Sequence, residues 1–342
     1  MKNFIHQALH VLLVIVLTLL VFVLIVLFIG WPQVDSSTHY GMTFSRPYAT
    51  SLGEDPTHVL NVALDEIGIK QFRIPAYWGL LEPSEHGKWD FSQIDADIAA
   101  IGARKGHVTL AIGEKLPRWP ECWGPSWWKV LPRTQQKPLT LEYFKAVVDH
   151  YRGNPTITAW QVENEPYFQY GDCPAPDKSF ITEELSYVKG LDTSRPIYST
   201  DSGELSTWLE LGPQVDKLGV SVYRLVRNQL FGNFNLTYFF IPPYFYEHKA
   251  WLVHFFGVKD IYVSEFQMEP WSNVPLPQTP VDLQLSSMDE TRMQSNFSFA
   301  ERMGVSEIDF WGVEWWVWMR DLKGHPEFVD EAKLFWKTHA TP

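Results

Sequence analysis

The chain has 342 residues, of which 45% are hydrophobic and 15% aromatic, and its formal net charge is -12. This length suits one large domain or two small ones and supplies ample apolar material for a core. The negative charge argues against a nucleic-acid partner, because phosphate binding requires clustered Lys and Arg. The 16 Trp residues exceed what such a core usually needs. Since aromatic faces also stack on sugar rings, the composition is compatible with a carbohydrate site.

The N-terminal region contains a long apolar run. No charged residue occurs from Ala8 to Ile29, and about 20 apolar residues span a bilayer. A signal peptide would have an apolar region of about 7–15 residues followed by small residues at a cleavage site. This run is longer and ends in Gly30-Trp31-Pro32. We therefore predict an uncleaved membrane anchor, with a cleaved signal peptide as the alternative.

The charges that flank this run predict its orientation. Lys2 precedes the helix and Asp35 is the first charge after it, which favours a cytoplasmic N-terminus and an extracytoplasmic C-terminal part. The predicted division is a signal-anchor over residues 1–31, a linker over 32–39 and a catalytic domain over 40–342. We thus expect a single-pass membrane protein.

Short β-type runs then alternate with helical runs, which is typical of a parallel sheet wrapped by helices. Eight such units match a (β/α)8 TIM barrel. A doubly wound open sheet would need a Gly-rich turn after its first strand, and Ser45–Gly53 has none. The predicted strands are Tyr40–Phe44, Lys70–Ile74, His107–Ile112, Ile157–Glu163, Pro196–Thr200, Leu218–Tyr223, Asp260–Ser264 and Glu307–Trp311.

The predicted helices complete the alternation. Asp55 is a good N-cap with Pro56 in the first turn, and Thr140 is expected to cap the helix after the third strand. The helices are predicted from Asp55, over Phe91–Ala103, Leu141–Tyr151, around Thr182–Lys189, near Leu205–Leu211 and Tyr244–Phe256, and over Asp289–Met303 and Asp330–His339.

Polar residues follow several predicted strands, at the barrel end where active sites lie. The fourth strand leads into Glu165 and the seventh into Glu265, so two carboxylates face one mouth. A glutamate at a strand end is by itself most often solvated or salt-bridged. Glycoside cleavage, however, requires one carboxylic acid and one carboxylate. The ordered succession that favours catalysis is Arg73, Asn164-Glu165, Tyr223, Glu265 and Trp311.

The stretches WQVENEP, VSEF and FRIP, with a Trp after the eighth strand, resemble clan A glycoside hydrolases, the cellulase-like family 5 and its relatives. The resemblance covers about residues 40–338. It implies that Glu165 is the general acid/base and Glu265 the nucleophile of a retaining mechanism. It also implies that Asn164 binds the sugar 2-hydroxyl, while Arg73 and Tyr223 hydrogen-bond the nucleophile.

By the same resemblance, Trp311 forms the floor of the subsite for the cleaved sugar, with Trp315 and Trp316 as alternatives. Three other glutamates after strands are expected to support the site or to lie at the surface: Glu163, Glu269 and Glu314.

The sequence departs from the family pattern in two places. Relatives often have a His after the third strand, where this chain has Gly113-Glu114, and His107 lies at the other end of that strand. Relatives also often have a His where this chain has Ser221. Both departures concern contacts to the substrate.

Cys122 and Cys173 are the two cysteines of the chain, and they fall in neighbouring loops on one face. An extracytoplasmic location permits oxidation, so we predict a disulfide between them. The loop around Cys122, LPRWPECWGPSWW, either stabilises itself or supplies sugar-binding platforms. The aromatic insertion after the sixth strand, NFNLTYFFIPPYFYEH, either covers the cleft or contacts the membrane.

The leading interpretation is a retaining glycoside hydrolase that cleaves β-linked glycans by double displacement. The alternatives are a cell-surface transglycosylase that uses the same residues, and a catalytically inactive, glycan-binding barrel. The expected partners are a carbohydrate substrate and a membrane, with no nucleic acid and no obligate protein partner. We expect no cofactor and no metal, because His and Cys show no metal-ligand spacing.

Overall fold

A computed structural model describes residues 2–31, 37–228, 234–272 and 274–339. The strands are β1 His39–Thr43, β2 Gln71–Pro75, β3 His107–Ile112, β4 Ile157–Val162, β5 Ile197–Ser202, β6 Lys217–Val222, β7 Leu225–Asn228, β8 Phe234–Thr237, β9 Ile261–Gln267 and β10 Glu307–Trp311. Eight of them are parallel and close into a barrel in the ring order β1-β10-β9-β6-β5-β4-β3-β2. The predicted (β/α)8 barrel is therefore confirmed.

Strands β7 and β8 form a separate antiparallel hairpin after β6. Strand β8 lies in the aromatic insertion, and the sequence predicted neither of these two strands. Residues 229–233, which include the first residue of the insertion, fall outside the described residues.

Helices surround the barrel. They are α1 Lys2–Phe28, α2 Arg46–Leu52, α3 Pro56–Asn61, α4 Trp78–Leu81, α5 Ser92–Ala103, α6 Ser126–Lys129, α7 Arg133–Tyr151, α8 Lys178–Leu191, α9 Phe245–His254, α10 Val281–Leu285, α11 Glu290–Ala300, α12 Val313–Lys323 and α13 Glu327–His339. The side chain of Asp55 accepts a hydrogen bond from the Thr57 N–H and caps α3, as predicted.

Two predictions about helices were wrong. Thr140 does not cap a helix, because α7 already begins at Arg133 and Thr140 lies inside it. Its hydroxyl instead donates to Glu114 Oε1 at 2.6 Å. No α-helix forms near Leu205–Leu211, where the chain makes turns that lead into a short 3-10 helix at Gly212–Gln214.

The interior of the barrel is partly polar. Arg73 on β2, Gln161 on β4 and Asp309 on β10 have no exposed surface. A Cβ atom at Gly41 on β1 would lie 2.1 Å from Asp309 Oδ1, so the glycine leaves the space that this carboxyl occupies. The polar layer lies below the mouth, where it can position the side chains above it.

Helix α1 is apolar along nearly its whole length. Its segment Phe4–Phe28 has a mean hydropathy of 3.7, and it is exposed along its length except at Val26–Phe28, which are partly covered by the rest of the chain. Among the described residues it is the one helix long and apolar enough to cross a membrane, and a signal sequence would meet the same criteria.

Candidate active site

Glu265 lies near the end of β9 and is almost fully buried. Both of its carboxylate oxygens receive hydrogen bonds from predicted site residues. Arg73 Nη1 donates to Oε1 at 2.9 Å, and the Tyr223 hydroxyl donates to Oε2 at 2.8 Å. Charge-assisted hydrogen bonds of this kind stabilise the ionised form of a carboxyl group.

Arg73 is held in place by the rest of its guanidinium group. Its Nε donates to Gln161 Oε1 at 2.6 Å, and its Nη2 donates to Asn164 Oδ1 at 2.6 Å. The Asn164 oxygen also accepts the Thr200 hydroxyl at 2.8 Å. Since both donors occupy the carbonyl oxygen, the amide nitrogen of Asn164 is directed away from them.

Glu165 follows β4 and is half-buried. Its backbone N–H donates to Thr200 Oγ1 at 2.8 Å, and its carbonyl oxygen accepts Lys115 Nζ at 3.0 Å. Its φ is +45°, a region that non-glycine residues seldom adopt and that is often found at functional sites. Its carboxyl Oε1 accepts the Ser221 hydroxyl at 2.7 Å.

The electrostatic surroundings of Glu165 favour the protonated acid. Burial and, second, the charge of Glu265 raise the pKa of Glu165 to about 7. The Ser221 hydrogen bond and the charge of Lys115 oppose the increase. Burial and a nearby like charge both disfavour ionisation of a carboxyl group, so Glu165 is suited to hold a proton.

A third carboxyl group, Glu121, lies beside this pair and was not predicted. It is buried in the loop after β3, with φ +72°. Burial first, and then the charges of Glu265 and Glu165, raise the pKa of Glu121 to about 8, while a hydrogen bond with Asn164 opposes the shift. The sequence signal was weak, because Glu121 follows no strand directly.

The loop that carries Glu121 is tied to the loop after β4. Cys122 and Cys173 form a disulfide with an S–S distance of 2.05 Å and a Cα–Cα distance of 5.2 Å. Glu163 ties down the start of the same loop, since its carboxylate accepts the backbone N–H groups of Glu114 at 2.7 Å and Lys115 at 2.8 Å. Both carboxylate oxygens of Glu163 thus bind backbone N–H groups, which gives Glu163 a structural role.

Trp311 lies at the end of β10 and is only 7% exposed. The Arg118 guanidinium covers one face of its ring, 3.8 Å from the ring centre, and the Tyr48 ring covers the guanidinium from the other side at 3.6 Å. Glu269 and Glu314 form ion pairs with Arg118. One face of Trp311 is therefore unavailable to a sugar.

Trp315 does not line the mouth. Helix α12 begins at Val313 directly after Gly312, so Trp315 lies on a helix that leaves the end of β10. Trp315 is fully buried, and its Nε1 donates to Gln284 Oε1 at 2.7 Å. Trp316 is fully buried as well. Both are core residues, so the predicted substrate contact of Trp315 is not supported by its position.

The tryptophans of the loop after β3 differ in exposure. Trp119 is 64% exposed, whereas Trp128 is buried. Trp123 contacts Tyr77 with ring centres 4.0 Å apart, and Trp127 donates to the carbonyl oxygen of Glu82 at 3.1 Å. Most of this cluster therefore stabilises the loop, and Trp119 is the member with an open face.

One group of potential metal ligands occurs in the described part of the chain, formed by Glu54, His58 and Asp321. It lies at the surface, away from the barrel mouth residues. His58 Nε2 is already paired with Asp321 Oδ2 at 2.8 Å, which accounts for the arrangement without an ion.

No family model matches the sequence. A curated β-galactosidase, BbgII from Bifidobacterium bifidum, is 26% identical over 166 residues. That alignment covers 40% of this chain and 22% of the relative. The chain therefore spans less than two thirds of this relative.

Similar solved structures are glycoside hydrolases. A β-galactosidase from Halorubrum lacusprofundi has a TM-score of 0.58 at 14% identity, covering 89% of this chain and 58% of that one. GH5_18 from Streptomyces cattleya has a TM-score of 0.55 at 14% identity, covering 91% and 82%. Xylanase 10B from Thermotoga maritima has a TM-score of 0.55 at 16% identity, covering 81% and 83%. The resemblance to clan A glycoside hydrolases is thus confirmed at the level of the fold.

Proposed function

We propose that this protein is a retaining glycoside hydrolase that cleaves β-linked sugars. The observation that carries the proposal is the contrast between two glutamates at one barrel mouth. Glu265 accepts hydrogen bonds from a guanidinium group and a phenol, whereas burial and the neighbouring charge raise the pKa of Glu165 to about 7. A carboxyl group that holds its proton near neutral pH suits the general acid, and the neighbouring carboxyl group, fixed by two donors, is the proposed nucleophile.

The first step forms a glycosyl-enzyme ester. Glu265 attacks the anomeric carbon while the Glu165 proton moves to the glycosidic oxygen, so that the bond to the leaving group breaks as the ester bond forms. In the second step Glu165 removes a proton from water, and this water replaces Glu265 at the anomeric carbon. The mechanism requires the two carboxyl groups to lie about 5–5.5 Å apart, against about 6.5–9.5 Å for inversion.

Asn164 and Glu121 are the proposed contacts to the sugar held between the two catalytic groups. Asn164 Oδ1 is occupied by Arg73 and Thr200, which leaves its two amide N–H groups as donors, and one of them is used in the hydrogen bond with Glu121. The other N–H is the donor proposed for the sugar, and the Glu121 carboxyl group beside it offers a further acceptor. A donor and an acceptor next to the nucleophile suit a sugar hydroxyl group, which can both give and receive a hydrogen bond.

We further infer exo action, in which a terminal sugar is removed. Strand β10 lies opposite β4 in the barrel ring, so Trp311 lies across the mouth from the acid Glu165. Sugars on the far side of the cleaved sugar from the leaving group would therefore extend toward Trp311. There Arg118 is packed between two rings and paired with two carboxylates. A chain that continued beyond the cleaved sugar would have to displace this buried ion cluster, which is costly.

A substrate panel tests the hydrolase proposal. The purified protein is incubated with 4-nitrophenyl β-glycosides of the common hexoses and pentoses and with reducing-end-labelled oligosaccharides. Proton NMR of the first product should give the β-anomer, and an inverted anomer would exclude the retaining mechanism. From the first time point, exo action releases a monosaccharide and leaves a labelled product one sugar shorter. Internal products of several lengths would exclude exo action.

The same panel separates the alternatives. A transglycosylase would form products longer than the oligosaccharides supplied, and an inactive barrel would bind them without turnover. Trapping with a 2-deoxy-2-fluoroglycosyl fluoride, followed by peptide mass spectrometry, should place the label on Glu265. A label on Glu121 or Glu165 would reassign the nucleophile.

We also propose that α1 is an uncleaved single-pass anchor and that the barrel lies outside the cytoplasm. The apolar length of Phe4–Phe28 supports the anchor, and the Cys122–Cys173 disulfide supports an oxidising compartment. Carbonate extraction of membranes should leave the full chain in the pellet. N-terminal sequencing that begins after Gly30 would instead indicate a cleaved signal peptide.

A further inference from the structure

The segment before α9, α9 itself and the turn after it expose a group of large aromatic side chains. We call this group the aromatic surface. Its members and their exposed fractions are Phe239 (81%), Phe240 (55%), Trp251 (53%), Phe255 (71%) and Phe256 (67%). Exposed aromatic residues concentrated in one short stretch typically mark a site of interaction with another apolar phase. The active-site contacts described above involve none of these five residues.

Helix α9 packs against the C-terminal end of α1. The Tyr244 hydroxyl donates to the carbonyl oxygen of Phe28 at 3.1 Å, and His248 Nδ1 lies 2.6 Å from the carbonyl oxygen of Val26. The rings of Phe28 and Phe245 contact each other with centres 5.3 Å apart. Carbonyl groups at a helix end lack partners within the helix, so these contacts attach the barrel to the end of the apolar helix.

The length of α1 determines the depth of this contact in a membrane. Its apolar segment has 25 residues and is therefore about 38 Å long, against about 30 Å for the hydrocarbon core. The last turn, which contains Val26 and Phe28, then lies at the level of the lipid head groups. Helix α9 is bound to that turn, so it lies at the same level.

The chemistry of the aromatic surface suits this depth. Trp is enriched where membranes meet water, because its ring combines an apolar body with a polar N–H group, and this applies to Trp251. The four phenylalanines supply apolar area of the kind that interfacial helices bury at the boundary between head groups and acyl chains. The one lysine of α9, Lys249, is turned inward and donates to the carbonyl oxygens of Gly203 and Ser206 at 2.9 Å and 2.6 Å. Contact with lipid would therefore rest on apolar insertion and not on attraction to anionic head groups.

We propose that the aromatic surface inserts into the head-group region of the bilayer that α1 spans. The barrel is then seated on the membrane with a fixed face toward it, and does not swing on the connection between α1 and β1. The inference rests on the proposed anchor, because it needs α1 to stay in the bilayer.

Single-cysteine labelling in the full chain tests the proposal. Both natural cysteines are joined in the disulfide, so an introduced cysteine is the one reactive thiol. Phe239→Cys and Phe255→Cys each receive an NBD fluorophore. The matched control is Ala99→Cys on α5, an exposed position between β2 and β3, on the opposite side of the ring from β6 and β9. Each protein is reconstituted in phosphatidylcholine nanodiscs in two samples, one with a single chain per disc and one with two chains per disc.

At positions 239 and 255 we expect the NBD emission to shift to shorter wavelength. Nitroxide-labelled lipid should quench this emission at least 3-fold more strongly than aqueous iodide does. Position 99 should show the reverse preference. Equal iodide quenching at all three positions would overturn the proposal. Protection from iodide that appears only with two chains per disc would also overturn it, because a second copy of the chain would then cover the aromatic surface. Failure of the chain to enter discs would instead overturn the anchor.

A second variant tests the aromatic residues themselves. In Trp251→Ser/Phe255→Ser/Phe256→Ser the helix α1 is intact, so the protein should still enter discs, and a label at position 239 should become accessible to iodide. The rotational mobility of a spin label at position 99 should rise as well. Unchanged accessibility and mobility in the triple variant would show that these rings do not seat the barrel.

Discussion

The ends of β4 and β9 present the same residue type to the same cavity and treat it differently. Glu265 on β9 receives donors from Arg73 and Tyr223. Glu165 after β4 receives one neutral donor, from Ser221, and its pKa is raised to about 7 by burial and by the charge of Glu265. The barrel topology brings both glutamates to one mouth, and side chains from other strands give the two carboxyl groups different hydrogen-bond partners.

A second contrast lies across the mouth. Glu269 and Glu314 are also glutamates that follow strands, but both are paired with the buried Arg118. Glu269 also accepts Trp311 Nε1 at 2.8 Å, and Glu314 accepts the Ser45 N–H at 2.6 Å. These fixed ion pairs and hydrogen bonds favour a structural role for both carboxylates, which supports the assignment of catalysis to the other pair.

The largest effect is expected at Glu265. Glu265→Ala and the isosteric Glu265→Gln should lower kcat on every substrate at least ~10⁴-fold, because neither can form the covalent intermediate. Steady-state kinetics on an activated 4-nitrophenyl or dinitrophenyl glycoside measures the loss. The Gln variant preserves the side-chain shape beside Arg73, so activity within about 10-fold of the wild type in that variant would rule out Glu265 as the nucleophile.

The effect at Glu165 should depend on the leaving group. Glu165→Ala should lose about 10²–10⁴-fold on natural linkages, the usual contribution of general acid catalysis. The leaving group of a dinitrophenyl glycoside departs without protonation, so the Glu165→Ala variant should keep part of its activity on this substrate. Added azide should raise that activity, because azide replaces water as the nucleophile of the second step. If Glu265→Ala shows this pattern and Glu165→Ala does not, the two roles are exchanged.

Tyr223 should contribute less than either carboxylate. Tyr223→Phe removes the donor to Glu265 Oε2 and should lower kcat/KM about 10–100-fold, the usual value of a hydrogen bond to a charged group. Tyr262→Phe on β9 is the matched control, because its buried hydroxyl has no hydrogen-bond partner among the described residues. Equal losses in both variants would point to a packing defect.

The smallest effect concerns the pH profile. Since the acid must carry its proton, kcat/KM should fall as pH rises through about 7, the value to which the pKa of Glu165 is raised. The Ser221 hydrogen bond favours the ionised form of Glu165, so Ser221→Ala should raise the pKa of Glu165. The pH at which kcat/KM falls to half should then increase by about 0.5–1 pH unit. Ser199→Ala is the matched control, because it removes a buried hydroxyl with no partner among the described residues. It should leave the pH dependence of kcat/KM unchanged.

The sequence was sufficient to predict the barrel and the positions of both carboxylates. Strands buried on both faces read as apolar runs, and the ends of parallel strands meet at one edge, so residues far apart in the chain could be assigned to one mouth. Arg73, Asn164 and Tyr223 were predicted in the same way. In the structure Arg73 and Tyr223 donate hydrogen bonds to Glu265, and Asn164 accepts one from Arg73.

The tertiary structure alone decided the environment of each group. Trp315 is a core residue because a helix starts directly after Gly312, whose φ of +141° turns the chain out of β10. Ser221 was noted only as a departure from the family pattern, and its contact with Glu165 joins residues 56 positions apart. The Arg118 cluster likewise joins the loops after β3 and β9 to the first turn of α12. Local patterns predict strands and their ends, whereas burial and charge at a site depend on neighbours that only the closed barrel brings together.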